Sequence, residues 1–142
     1  MAYKGKYTPK NRNKYLGNPH KVIYRSLWER KFMVYCDNNN RVLEWASEEI
    51  VIPYTHPDGK RRRYFPDFYT KIKTDSGKIK EYVVEIKPKR QVMRPKAKKG
   101  MTKSYITEAN TWMMNQSKWE AAERYCKARN WEFMILTEDD IL

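Results

Sequence analysis

Apolar side chains recur at Trp28, Phe32, Tyr35 and Cys36, the three-and-four spacing of one helix face, and the run stops at Asp37-Asn38-Asn39-Asn40. The stretch opens on Ser26-Leu27-Trp28-Glu29, a capping box in which the serine hydroxyl serves the N–H three residues on and the glutamate reaches back. A helix is predicted over about 27–38. Two short β-branched and aromatic runs follow, Val42-Leu43-Glu44-Trp45 and Glu49-Ile50-Val51-Ile52-Pro53-Tyr54, closed by the turn-forming His56-Pro57-Asp58-Gly59. A third strand is predicted from Tyr64 to Lys73 and a fourth from Ile79 to Lys87, with a turn at Asp75-Ser76-Gly77 between them and Pro88 as the stop.

Helical spacing returns with Tyr105, Ala109, Trp112 and Met113, pauses at Asn115-Gln116, and restarts at a second capping box, Ser117-Lys118-Trp119-Glu120. This second helical region ends near Asn130. Trp131 to Leu136 reads as a last strand, and Thr137-Glu138-Asp139-Asp140 caps a terminal turn. The order is mixed α/β with an antiparallel hairpin at its centre.

Two stretches carry no period. Residues 2–24 hold six Lys or Arg, no acid, two prolines and irregularly spaced tyrosines, the pattern of a basic arm ahead of a single domain at 25–142. Gln91 to Lys103 is a basic loop interrupted by Pro95 and Gly100.

Composition narrows the class of protein. A chain of 142 residues has room for one core, and 40% apolar with 14% aromatic residues is enough to fill it. Its 30 Lys and Arg against 17 Asp and Glu leave a net charge of +13, which makes a polyanion the expected partner. No apolar run reaches the roughly 18 residues of a bilayer span, and the polar, basic start resembles no signal peptide, so no membrane partner is expected. Cys36 and Cys126 stand singly inside helical patterns, as buried thiols do.

The chemistry gathers at Pro66-Asp67 and Glu85-Ile86-Lys87. In a hairpin centred on Ser76, Asp67 faces Glu85 on one side of the sheet, with Cβ atoms roughly 5 Å apart. Alternation places Lys87 on that same side and turns Ile86 into the core, leaving the Ile86 carbonyl beside the carboxylates. Two like charges so close call for a cation, and hard oxygen ligands suit Mg²⁺, with Mn²⁺ as a substitute. Such a centre can hydrolyse phosphodiesters, with Lys87 serving the developing negative charge.

Each of these residues has a plainer reading. A lone Glu-x-Lys on a strand is most often a solvated face; Pro-Asp in matching register is what changes the balance. Glu29 is fully accounted for as the third helical residue of its capping box, which leaves a further acidic role open. Glu48 and Glu49 precede a strand and read as solvent-facing, with an approach of either to the site left open. His20 and His56 lie in the arm and a turn, which disfavours a histidine-metal or Ser-His-Asp centre. Trp28, Trp112 and Trp119 read as core. The basic runs flank Asp67 and Glu85, so Arg61, Arg62, Arg63, Lys89, Arg90, Arg94, Lys96, Lys98, Lys99 and Lys103 are the expected phosphate contacts.

Glu29, Pro66-Asp67 and Glu85-Ile86-Lys87 together resemble the signature of the PD-(D/E)XK nucleases. That resemblance implies a restriction-endonuclease-like αβββαβ core, double-stranded DNA as the partner and its cleavage with Mg²⁺, and a site role for the helix-borne Glu29. It also makes Lys118, on the helix after the sheet, a minor candidate. More closely, the chain is similar along nearly its whole length to the head-completion nucleases of T-even-type tailed phages. Carrying that similarity are Tyr24-Arg25-Ser26 with Trp28-Glu29, Ile52-Pro53-Tyr54, Arg62-Arg63-Tyr64-Phe65, Glu85-Ile86-Lys87-Pro88-Lys89 and Ile135-Leu136-Thr137-Glu138-Asp139. It implies action on packaged DNA before tails join, contact with portal or neck proteins of the head, and a place in the host cytoplasm during assembly and then in the virion. Two alternatives stand beside it: a basic plug that binds DNA without cutting it, and a nuclease of the same fold acting on branched or transposon DNA.

Overall fold

In the computed structural model, which describes residues 3–96 and 102–141, the first helix α1 spans Leu27–Asn38. The Ser26 hydroxyl accepts from the Glu29 N–H at 3.2 Å, which satisfies one donor that the first turn cannot pair internally. The expected cap therefore forms.

The central sheet has four strands in the order β3 (Val42–Ser47), β6 (Phe68–Lys73), β7 (Ile79–Ile86), β8 (Glu132–Leu136), flanked in sequence by α1 and by the long helix α3 (Lys103–Lys127). The β6–β7 hairpin is antiparallel with Phe68 opposite Val84 and Lys73 opposite Ile79, whereas β8 runs parallel to β7. This is the αβββαβ core of a restriction-endonuclease-like fold. Gly77 takes φ 84°, the left-handed conformation the hairpin turn requires and glycine adopts at little cost.

Strand alternation divides the sheet into two packed faces. Phe68, Val84 and Ile86 join Met33, Cys36, Val42 and Trp45 beneath α1, and the Phe32 and Phe68 rings lie 4.8 Å apart. The opposite face packs on α3 and on a separate hairpin of β4 (Ile52–Thr55) and β5 (Arg61–Tyr64), through Ile52, Tyr54, Tyr64, Trp119, Ala121 and Ala122. Each fully buried large side chain stabilises the fold by about 1.5–3 kcal/mol relative to exposure.

Four local features depart from the sequence reading. The strand expected from Tyr64 to Lys73 is divided: Tyr64 ends β5, the buried Pro66 turns the chain, and β6 begins at Phe68 in a different sheet. Proline has no N–H to donate to a ladder, so pairing breaks there. The strand expected at Glu49 begins instead at Ile52. No pause divides α3 at Asn115-Gln116; Asn115 is buried, and the Ser117 hydroxyl donates to the Met113 carbonyl one turn back rather than capping a new helix. Between the hairpin and α3, the basic stretch contains the short helix α2 (Lys89–Val92).

The basic N-terminal stretch packs into the core from residue 7 on. β1 (Gly5–Lys6) pairs with β2 (Ile23–Tyr24), and Tyr7, Tyr15 and Val22 are buried with Trp45. The Asp37 carboxylate, at the end of α1, accepts from the Tyr7 hydroxyl at 2.6 Å and from the Lys10 and Asn11 N–H groups at 2.8 and 2.9 Å. An anion satisfied by three donors pins the segment to the domain. A final short helix, α4 (Glu138–Ile141), follows β8. No helix among the described residues is long and apolar enough to cross a membrane.

Candidate active site

The β6–β7 register, continued one step beyond Phe68–Val84, sets Asp67 across from Glu85. Two bonds hold this pairing: the Asp67 N–H donates to Glu85 Oε1 at 3.3 Å, and the Ile86 N–H donates to Asp67 Oδ2 at 2.8 Å. Within an extended strand the N–H and C=O of one residue point to the same side, so the Ile86 carbonyl lies on the edge that faces Asp67. Lys87 places its ammonium 3.9 Å from Glu85 Oε2.

Glu85 is only 6% exposed. Burial first, and the Asp67 charge second, push its carboxyl well above the usual carboxylate range, against the pull of Lys87. Asp67 is raised too, again chiefly by burial, with the Ile86 N–H and Lys87 opposing. Burial and mutual repulsion oppose ionisation of both carboxylates, and a positive charge beside them favours it. The buried Tyr64 hydroxyl sits beside them, and burial followed by the Glu85 charge drives its pKa upward.

α1 brings Glu29 to the same end of the sheet. Its carboxylate accepts from the Arg25 N–H at 3.4 Å, and burial followed by the Asp67 charge pushes it up to about 7. Among the described residues no three Asp, Glu, His or Cys side chains cluster at the spacing of a complete metal cage. Asp67 and Glu85 are the pair that stand together, and the Asp67 charge acts on Glu29.

Glu48, expected from the sequence to face solvent with an approach to the site left open, lies beside Asp67. It adopts φ 55°, unusual for a non-glycine residue, and its N–H donates to the Asp67 carbonyl at 3.0 Å. Its carboxylate takes both Nε and Nη2 of Arg25, at 2.8 and 3.1 Å. The charged neighbourhood of Glu29 and Asp67 therefore includes Glu48, which is half-buried rather than solvent-facing. Only its place just before a strand was visible in the sequence.

Lys118 projects from α3 over the Tyr54 and Tyr64 rings, 5.9 and 5.6 Å from their centroids. Burial and the Lys87 charge lower its pKa, while Glu85 and Asp67 raise it, so its ammonium belongs to the same electrostatic cluster. A cavity of about 490 Å³ lies on the other face of the sheet, lined by apolar groups such as Phe32, Ile72, Tyr82 and Val84, and borders none of these residues.

The expected phosphate contacts are not equivalent. Arg61, Arg90, Lys96 and Lys103 are exposed. Arg63 lies over the Phe65 ring and Arg94 over Trp112, at 5.7 and 5.8 Å. Arg62 is held by Asp58 at 2.6 Å, and Lys89 by Asp139 at 3.1 Å, so both already have carboxylate partners. Lys98 and Lys99 lie outside the described residues.

A Pro-Asp and a Glu-x-Lys brought together at the open end of a mixed αβββαβ sheet define the nuclease class with the PD-(D/E)XK signature. Residues 39–138 match the model of the TnsA-like endonuclease N-terminal domain, and the chain belongs to that family. It is also 42% identical over 146 aligned residues, 99% of this chain and 95% of the relative, to the head completion nuclease of Enterobacteria phage T4.

Proposed function

We propose that this chain is a divalent-metal-dependent DNA endonuclease that trims or cuts packaged DNA while phage heads are completed, with Mg²⁺ as its ion and Mn²⁺ as a substitute. The carrying observation is the Asp67–Glu85 pair: two carboxylates with raised pKa values, one of them buried, tied together by main-chain donors. Like charges in such a place fit a cation, and Mg²⁺ is commonly held by one or two carboxylates with water filling the remaining positions.

Asp67 and Glu85 would hold the ion, with the Ile86 carbonyl as a neutral oxygen ligand and Glu29 in reach of its water shell. When bound, the ion supplies Lewis-acid stabilisation of a phosphate oxygen and lowers the pKa of a water. Lys87, whose ammonium lies beside Glu85, would stabilise the negative charge that gathers on the pentacoordinate phosphate in the transition state. Arg61, Arg63, Arg90, Arg94, Lys96 and Lys103 would hold the flanking phosphates without reading bases. The likeness to the T4 head completion nuclease supports a role in completing heads; such a role would put the protein in the host cytoplasm during assembly and then in the virion, with a docking partner among the portal or neck proteins.

Supercoiled plasmid incubated with the purified protein tests this reading. Nicked and linear products in Mg²⁺, and none in EDTA, are the expected outcome. Cutting that persists undiminished in EDTA would contradict it.

A further inference from the structure

The outer face of the β4–β5 hairpin is a row of alternating chemistry. Thr55 pairs with Arg61 and Pro53 with Arg63, and the next step of the register brings Val51 beside Phe65. The inner residues Ile52, Tyr54 and Tyr64 are buried, whereas Val51 and Phe65 are 40% and 45% exposed. Arg62 alternates to the other side of the ladder, opposite Tyr54, and binds Asp58, while within the row Arg61 donates to the Thr55 hydroxyl and Arg63 stacks over Phe65. One exposed phenylalanine alone would mean little. Here it is continuous with a basic ribbon and lies two residues before Asp67.

Two residues of chain separate two Cα atoms by at most about 7 Å, so the turn at Pro66 keeps Phe65 close to Asp67. An exposed ring so near Asp67 would be within reach of a base next to a phosphate bound there. Inside a continuous duplex those bases stack on one another, and a ring could enter only by forcing a step apart. An unpaired base offers its face freely, and an aromatic side chain accepts any of the four bases.

We propose that this face holds a single DNA strand at the cutting site, with Arg61 and Arg63 on its phosphates and Phe65 stacked on an unpaired base. The enzyme then favours overhanging or frayed DNA over continuous duplex. The proposal deepens the nuclease reading and rests on it.

The test separates the two. In a Glu85→Ala background, 2-aminopurine is moved stepwise through a short single-stranded overhang on a duplex, and its fluorescence is followed as protein binds. Quenching at one position that disappears with Phe65→Ala or Phe65→Leu and survives with Phe65→Tyr is expected. Preference for the overhang over a blunt duplex should fall about tenfold with either aliphatic variant, the size of one base stack. Equal quenching and equal preference in the aliphatic variants overturn the proposal. If quenching follows Phe65 but the unmodified protein cuts neither DNA in Mg²⁺, it is the nuclease reading that fails.

Discussion

Asp67 donates its main-chain N–H to the carboxylate of Glu85 at 3.3 Å, so the backbone that presents one acidic group also locates the other. The spacing of the pair is set by the β6–β7 ladder and not by side-chain flexibility. Removing the Asp67 carboxylate leaves that N–H in place, which makes single substitutions here informative.

Lys87→Ala should retain metal binding by calorimetry and lose about 100- to 1,000-fold in cleavage rate, because the ammonium serves the transition state. Methionine, similar in length but uncharged, should not restore the rate. Loss of Mn²⁺ or Mg²⁺ binding in Lys87→Ala would contradict this division of roles.

Raised carboxylates give stability a pH dependence with a definite sign. Glu29, Asp67 and Glu85 all have folded values above their unfolded ones, so their contribution is fully present below the ordinary carboxylate range and is lost as the pH rises through the folded values, near 7 for Glu29. In EDTA, Tm should fall between about pH 5 and pH 8. Mg²⁺ should reverse most of that fall, and Glu85→Gln should flatten it without metal. A melting series in the two buffers measures this directly.

Asp37 has the opposite sign. Burial alone would raise its carboxyl, but hydrogen bonds from Tyr7, Lys10 and Asn11 outweigh burial and hold it below its ordinary 3.8. Its contribution is present above that ordinary value and is lost as the pH falls through the lower folded one. Asp37→Asn should cost about 3 kcal/mol near neutrality and lower Tm by roughly 10 °C. Thermal melts from pH 3 to 7 should show the difference between variant and parent shrinking in acid.

Charge neutralisation should distinguish free from paired cations. Changing Arg61 or Lys103 to Gln should reduce the slope of log affinity against log salt by about one each, with no change in sequence preference. Lys89→Gln should have a smaller effect, because Lys89 already faces Asp139. Binding of catalytically inactive protein to unrelated duplexes across a salt series reads both quantities.

What could be read from the sequence was local. A period of two on either side of Asp75-Ser76-Gly77 specified the register of Asp67 and Glu85, and a capping box placed α1, because turns and caps are decided within a few residues. Burial of Tyr7, Tyr15 and Val22 was not legible, since their partner Trp45 lies some distance along the chain and their spacing has no period. Glu48 was hidden for the same reason: its role depends on Arg25 and Asp67 meeting in space. Phe65 and Pro66 read as strand residues, and only the two-sheet arrangement shows that the chain turns there. The continuous α3 absorbed Asn115 and Ser117 through packing and a bond to the preceding turn, overriding signals that elsewhere end and start helices.

The most direct test of the proposed centre is the nicking rate of supercoiled plasmid in matched Mg²⁺ by the unmodified protein, Asp67→Ala and Glu85→Ala, each shown by its melting curve to be folded. Either substitution should reduce the rate by several orders of magnitude, because one remaining carboxylate cannot hold the ion against water. Cleavage by both variants at the unmodified rate would contradict the assignment of Asp67 and Glu85 as the catalytic metal site.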